Sequence, residues 1–268
     1  MPPLRHPAVA GKFYPHDAAG LSFAVNSFLK AAPRKPALAC VAPHAGYIYS
    51  GHVAGAVFST LEIPSRVIML CPNHTGRGQP LSIMSTGTWL TPLGEVSVAA
   101  HLAEQLKEEF FPLTEDTEAH RSEHAIEVEL PFLQVLKPGF SFVPIALGTR
   151  NYEVLEALGI ALANVIRQQT DPVLIIASSD MNHYENDDLT RVKDAKAIER
   201  ILALDPSGLF SVAMKEDISM CGLGATVSAL TAAKQLGASQ AELIKYATSG
   251  DVSNDRDFVV GYAGILIS

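Results

Sequence analysis

Arg66-Val67-Ile68-Met69-Leu70-Cys71-Pro72-Asn73-His74-Thr75-Gly76 is an unbroken apolar run that stops abruptly at polar and turn-forming residues. Short continuous runs of this kind suit a strand buried on both faces, because each side of the pleat must meet apolar neighbours. The pattern recurs outward in both directions. Ala37–Ala42 precedes it. Phe140–Leu147 and Pro172–Ser178 follow, and Glu242–Thr248 and Phe258–Ile267 read as late strands. Between these runs, apolar residues recur at about 3.6 spacing over 51–61, 98–110, 152–168, 187–204 and 222–235, which predicts helices. Asn151 is placed to cap one of them, and Asp205-Pro206 to open a short following one. Such alternation predicts an α/β fold, with a mixed, largely parallel central sheet flanked by helices on both faces. No repeat, low-complexity tract or long linker interrupts it, so residues 1–268 read as a single domain.

The ends of those strands carry the chemistry. The first run closes in Pro43-His44-Ala45-Gly46-Tyr47, and the second in Cys71-Pro72-Asn73-His74. The fourth closes in Ser178-Ser179-Asp180-Met181-Asn182-His183. In a parallel arrangement the carboxyl ends share one rim, where ligands of such sheets bind. Three histidines from distant segments are therefore expected to converge.

Composition narrows the classes. The chain has 268 residues, 48% of them hydrophobic, and a formal net charge of −8. That charge, with Lys and Arg scattered, argues against a nucleic-acid binder. No apolar stretch approaches a membrane span, and the first residues lack the apolar core of a signal peptide. Three cysteines, Cys40, Cys71 and Cys221, suit reduced thiols in a cytoplasm better than a disulfide scaffold. The absence of a phosphate-binding glycine loop, a nucleophile elbow and paired CxxC motifs sets aside P-loop NTPases, α/β-hydrolases and zinc ribbons.

Each candidate residue has a plainer reading beside the functional one. His44 and His74 are imidazoles in tight turns, suited to a transition metal, or else ordinary loop histidines. Asn73 and Thr75 can hydrogen-bond their own loop or an anionic group. Cys71 reads as a small core residue. Cys221 sits just ahead of a helical run, where the helix dipole would lower its pKa; the competing reading is an inert buried thiol. Asp180 and His183 lie three apart, so the carboxylate could orient the imidazole, ligate a metal or carry a proton, or simply cap a turn. His124 would share a helical face with Glu127, as a ligand pair or a brace, or as part of a solvated surface. His120 competes for the same role.

The segments Pro7–Pro15, Ala42–Gly51, Cys71–His74, Glu123–Glu127, Ser178–His183 and Met220–Gly222 together resemble the Memo family, whose bacterial members are called AmmeMemoRadiSam system protein B. The matches run in order over nearly the whole chain. The resemblance implies a fold similar to the class III extradiol dioxygenases, the LigB-like enzymes, which hold non-haem Fe(II) with two histidines and a carboxylate. By that resemblance His44 and His74 are metal ligands and Cys221 takes the third place. His183 matches the proton-shuttling histidine, His124 a second pocket histidine, and Asp180 lies beside the cluster. Tyr49 matches a pocket-lining position and, with Asn73, is expected to meet substrate.

A thiolate in place of a carboxylate softens the site. Fe(II) is the expected metal, with Cu(I) or Zn(II) as alternatives. The implied function is a metal-dependent oxidoreductase-type activity. The competing readings are a non-catalytic module for a peptide or small anionic ligand, and a Cu(I)-binding, redox-protective protein. A radical-SAM protein and an AMMECR-type protein are the partners the resemblance implies.

Overall fold

Four parallel strands form the centre of the sheet in a computed structural model that describes residues 3–268. Their order is Ser141–Leu147, Arg66–Pro72, Val173–Ser178, Ala39–Ala42. Val259–Ile267 adds to Ala39–Ala42 in the antiparallel sense, and Ala241–Thr248 pairs antiparallel with Val259–Ile267. Among the described residues, shorter strands extend both edges to a mixed sheet of twelve. The architecture is the α/β class expected from strand–helix alternation.

Alternate residues of the central strands feed two separate cores. Ile68, Leu70, Val143, Ile145 and Ile175 point into one. Helices Ala100–Glu109, Tyr152–Arg167 and Leu223–Gln235 cover it through residues such as Leu106, Leu162 and Leu230. Val67, Met69, Phe142, Leu174 and Ile176 point into the other, against Ala18–Phe28, Tyr47–Ser59 and Ala125–Leu136. A strand flanked by helices on both sides has no polar face, which is why these segments are continuous apolar runs. Among the described residues, no helix is long and apolar enough to cross a membrane.

Several expected boundaries move by a residue or two, as helix ends commonly do. Two shifts matter more. The helix expected from residue 51 starts at Tyr47, so only four residues, Pro43 to Gly46, separate it from its strand. Residue 98, expected to open a helix, instead ends the strand Gly94–Val98, which forms a hairpin with Thr88–Thr91. Asn151 and Asp205 do cap their helices, accepting from the backbone N–H of Val154 and Gly208.

The register sets the site. Ala42 lies opposite Ser178, and Leu70 opposite Ala177, so these strands finish on a common rim. His44, His74 and Asp180 each lie two residues past a strand end.

Candidate functional site

The rim opens into a cavity of about 840 Å³ that contains His44, His74, His124, Asp180, His183 and Cys221 on its walls. Tyr49 and Asn73 also line it. A smaller cavity of about 470 Å³ runs along Pro36–Leu38, Ile166, Arg167, residues 169–173 and Ser268, and among the described residues no imidazole or thiol lines it.

Ligand atoms of His44, His74 and Cys221 lie within 4.8 Å of one another. His44 Nε2 is 3.3 Å from Cys221 Sγ. Cys221 arrives from a different region of the chain, just before helix Leu223–Gln235. Gly222 allows that approach: a Cβ there would sit 2.3 Å from the Ser178 carbonyl oxygen and 2.4 Å from Ser179 Cβ. Only a glycine lets the Cys221 turn press so closely against the strand end.

The two imidazoles are held from behind in different ways. His74 Nδ1 is 2.8 Å from Glu123 Oε1, and the other Glu123 oxygen accepts from the His74 backbone N–H at 2.6 Å. A carboxylate can only accept, so Nδ1 carries the proton and Nε2 keeps its lone pair. Burial opposes charge on His74, but the hydrogen bond and charge of Glu123, with Asp180 beyond, outweigh it and raise the His74 pKa. Glu123 is held below its ordinary range: burial alone would raise it, and the His74 hydrogen bond and charge win. His44 Nδ1 instead meets the Ser178 hydroxyl at 2.8 Å. Burial drives the His44 pKa well down, and the surrounding His74, His124 and His183 add to the effect.

Glu123, which the sequence reading did not single out, is the organising carboxylate here. His74, Glu123 and His124 also form a close group of potential ligands. Both Glu123 oxygens are already engaged, Oε1 additionally accepting from the backbone N–H groups of His124 and Ala125. That group therefore acts as a brace for His74. Its signal in the sequence was its place directly before His124, since a metal-type histidine usually donates its second ring N–H to a carboxylate.

His124 supplies the third imidazole that touches the other two. Its ring stacks on His74 at 4.7 Å and meets His44 edge-on at 5.4 Å. It comes from the residue before helix Ala125–Leu136, not from a strand end. The expected pairing with Glu127 does not form. Glu127 is buried and bound to Arg5, to the Tyr14 hydroxyl and to the backbone N–H groups of Ala8 and Val9. It pins the N-terminal segment, which places Phe13 4.8 Å from the His124 ring. His120 is fully buried against Trp89, away from this cavity.

Asp180 serves His44 and Cys221, not His183. Its Oδ1 accepts from the His44 backbone N–H at 2.9 Å, and its own N–H donates to Cys221 Sγ at 3.2 Å. Burial pushes its carboxyl up to about 7. Burial and the Asp180 charge also push the Cys221 thiol well up, so the expected helix-dipole lowering is overridden. A nearby cation would reverse that balance. His183 is positioned by Ser219: its Nδ1 lies 2.9 Å from the Ser219 carbonyl oxygen, and its backbone N–H donates to Ser219 Oγ. The carbonyl can only accept, so Nδ1 carries the proton and Nε2 is a free acceptor. Burial lowers the His183 pKa. Asn73 spends its side chain on its own turn, donating to the Arg77 carbonyl and accepting from Thr75 and Gly76. Tyr49 is partly exposed on the wall.

Residues 5–266 match the profile of the Memo-like protein family. The chain belongs to that family. It is 41% identical to a MEMO1 family protein of Methanopyrus kandleri, with 98% of each chain covered. It is 42% identical to one of Methanosarcina barkeri, covering 98% of this chain and all of the relative. Among solved structures, an uncharacterized protein of Escherichia coli K12 aligns at a TM-score of 0.54 and 13% identity, over 85% of this chain and 98% of that one. That likeness is one of fold. The Memo-like chain thus has full-length relatives, and its histidine- and cysteine-lined cavity lies within the matched span.

Proposed function

We propose that the cavity of this Memo-like protein is a mononuclear metal centre with oxidoreductase-type activity on a small molecule. The observation that carries the reading is the meeting of His44 Nε2, the His74 ring and Cys221 Sγ within one ligand-sized space. The donor set fits a transition-metal cation: two imidazoles already hydrogen-bonded behind, and one thiol. Fe(II) is the metal we put first, and the soft sulfur keeps Cu(I) and Zn(II) as outcomes of the test. When bound, the metal would supply Lewis acidity and, as iron, electron transfer to dioxygen or a related oxidant.

The chain's own groups would do the rest. His183, neutral at neutral pH with a free Nε2, would take a proton from substrate at the cavity wall. Asp180 would hold the His44 loop and the Cys221 sulfur in place. His124 and Phe13 would close one side of the cavity, and Tyr49 would meet the substrate. Asn73 would shape the His74 turn more than bind ligand.

Anaerobic purification followed by elemental analysis tests this. The expected result is about one metal per chain, lost in His44→Ala and in Cys221→Ala. Chains that fold normally yet take up no iron, copper or zinc would reject the reading. Cu(I) preferred over Fe(II), with no oxygen consumption, would favour a copper-protective protein.

One observation favours a binding module as the second reading. Lys12 and Arg150 sit on the cavity wall, and the acid there, Asp180, is turned to the His44 backbone. An anionic small molecule or peptide would suit that lining. Thermal stabilisation by such ligands that survives chelation and Cys221→Ala would support it. The family resemblance also puts forward a radical-SAM protein and an AMMECR-type protein as partners, which co-purification from a native host would test.

A further inference from the structure

Asn182 is fully buried behind the cavity wall, next to His183, and every hydrogen-bonding group it has is engaged. Its amide oxygen accepts from the Ser219 backbone N–H and from Ser219 Oγ, both at 3.1 Å. Its amide nitrogen donates to Glu185 Oε2 at 2.6 Å and to Thr190 Oγ1 at 3.4 Å. Its backbone N–H donates to Asp194 Oδ1 at 2.8 Å, and its carbonyl accepts from the Gly261 N–H at 2.9 Å. The Ser219 N–H can only donate and the Glu185 carboxylate can only accept, so the amide has one orientation. A buried amide with all its partners in place fixes one arrangement of the segments around it.

The surroundings are shaped to that end. A Cβ at Gly261 would sit 1.8 Å from Asp194 Oδ2, so a glycine is needed for the acid to reach the Asn182 backbone. The short strand His183–Glu185 bulges against Val259–Ile267, and Tyr184 within it has φ 61°, a costly left-handed conformation for an aromatic residue. In a regular strand residues 183 and 185 would share a face. Here His183 lines the cavity while Glu185 reaches back to the Asn182 amide.

Ser219 joins the two sides. Its carbonyl oxygen accepts from His183 Nδ1 at 2.9 Å, its Oγ accepts from the His183 backbone N–H at 2.8 Å, and Cys221 follows two residues later. Ser219 itself is exposed, and among the described residues its backbone N–H has no acceptor besides Asn182. We infer that Asn182 is a positioning residue: its amide clamps the Ser219 segment and so holds the His183 ring and the Cys221 turn on one frame. The Ser219 carbonyl then stays aimed at His183 Nδ1, which keeps Nε2 unprotonated. The uses made of His183 and Cys221 rest on the metal-centre reading of the cavity, whereas the clamp is a matter of packing.

Long-range proton–nitrogen NMR correlation of the chelator-stripped protein, at mildly alkaline pH, tests the clamp by showing which ring nitrogen carries the proton. Wild type should show His183 and His74 both protonated at Nδ1. In Asn182→Ala, His183 should become a mixture of the two tautomers while His74, held by Glu123, stays as it was. Asn182→Asp keeps an acceptor for Ser219, with Lys193 beside Glu185 to offset the added charge, and should restore His183 to the Nδ1 form. A folded Asn182→Ala protein with His183 wholly in the Nδ1 form overturns the inference, and so does a change in His183 and His74 alike, which a general loosening would give. If that variant does not fold, native-state amide exchange of the wild type decides: the Ser219 N–H should be strongly protected despite its exposed position, and exchange at the free-peptide rate overturns the clamp. Cobalt(II) loading reads the Cys221 side. The thiolate-to-metal absorption should shift in Asn182→Ala and return toward wild type in Asn182→Asp; an unchanged band in Asn182→Ala overturns the reach of the clamp to Cys221. Wild-type protein that binds no cobalt rejects the metal reading itself, and the NMR result still decides the clamp.

Discussion

His44 is 1% exposed at its side chain and His74 is 32% exposed, although each lies two residues beyond a parallel strand of the same sheet. His44 is backed by a hydroxyl, and its pKa is driven down. His74 is backed by a carboxylate, and its pKa is raised. The same side chain thus has opposite electrostatics a few ångströms apart. The difference teaches that what lies behind the ring, more than the ring's place in the chain, sets its proton affinity. A buried imidazole with a neutral partner stays neutral. A half-buried one beside an ionised acid holds a proton more tightly.

The largest effect should come from removing the direct carboxylate. Glu123→Ala frees both the ring and the backbone of His74, and metal affinity should fall about 10- to 100-fold by equilibrium dialysis. Unchanged affinity would mean that the brace on His74 is dispensable and the contrast with His44 chemically idle.

A second test reads the contrast in proton binding. A histidine NMR titration of the chelator-treated protein should place the His74 pKa above the ordinary imidazole value of 6.5 and the His44 pKa well below it. The sign for stability follows. The raised pKa of His74 contributes stability that is complete below 6.5 and lost as pH rises through its folded value. The lowered pKa of Glu123 contributes stability present above 4.5 and lost as pH falls through its folded value. The pair therefore stabilises most between those two limits. Glu123→Gln should show its largest Tm deficit near pH 5–6 and a smaller one near pH 9. A deficit that does not vary with pH would break the electrostatic account.

The smallest effect concerns Asp180. Its carboxyl, raised to about 7 by burial, loses stability as pH climbs from its unfolded range through that value. Asp180→Asn keeps an acceptor for the His44 N–H and removes the buried charge. Relative to wild type, the variant should gain on the order of 1 kcal/mol, or a few degrees of Tm, between pH 5 and pH 8.5. An equal Tm difference at both pH values would show that the carboxyl is not held up by burial.

Much of the fold was legible because its central strands are apolar on both faces. Arg66–Pro72 and Val173–Ser178 each announce themselves as uninterrupted runs. Helix Ala125–Leu136 was harder to read. Residues 125–133 are all buried, so no polar stripe marks its period, and Pro131 lies inside it. The hairpin of Thr88–Thr91 and Gly94–Val98 is short and half-exposed, and its signal merges with the helix that follows. At the site, the strand-end rule singled out His44, His74 and the Asp180–His183 loop. It missed Glu123 because an acid just ahead of a helical segment looks like ordinary surface charge until burial is known.

From the order of residues alone came the strand–helix alternation, the histidines delivered to one rim and the resemblance that included Cys221. These are local patterns, set by side-chain chemistry and backbone period. Only the tertiary structure decided that Glu123 braces His74, that Glu127 anchors the N-terminal segment, and that Asp180 turns to His44 instead of His183. Those outcomes depend on which groups lose water together and on which lone pairs face which protons. Neither is specified until segments 49 to 136 residues apart are packed against one another.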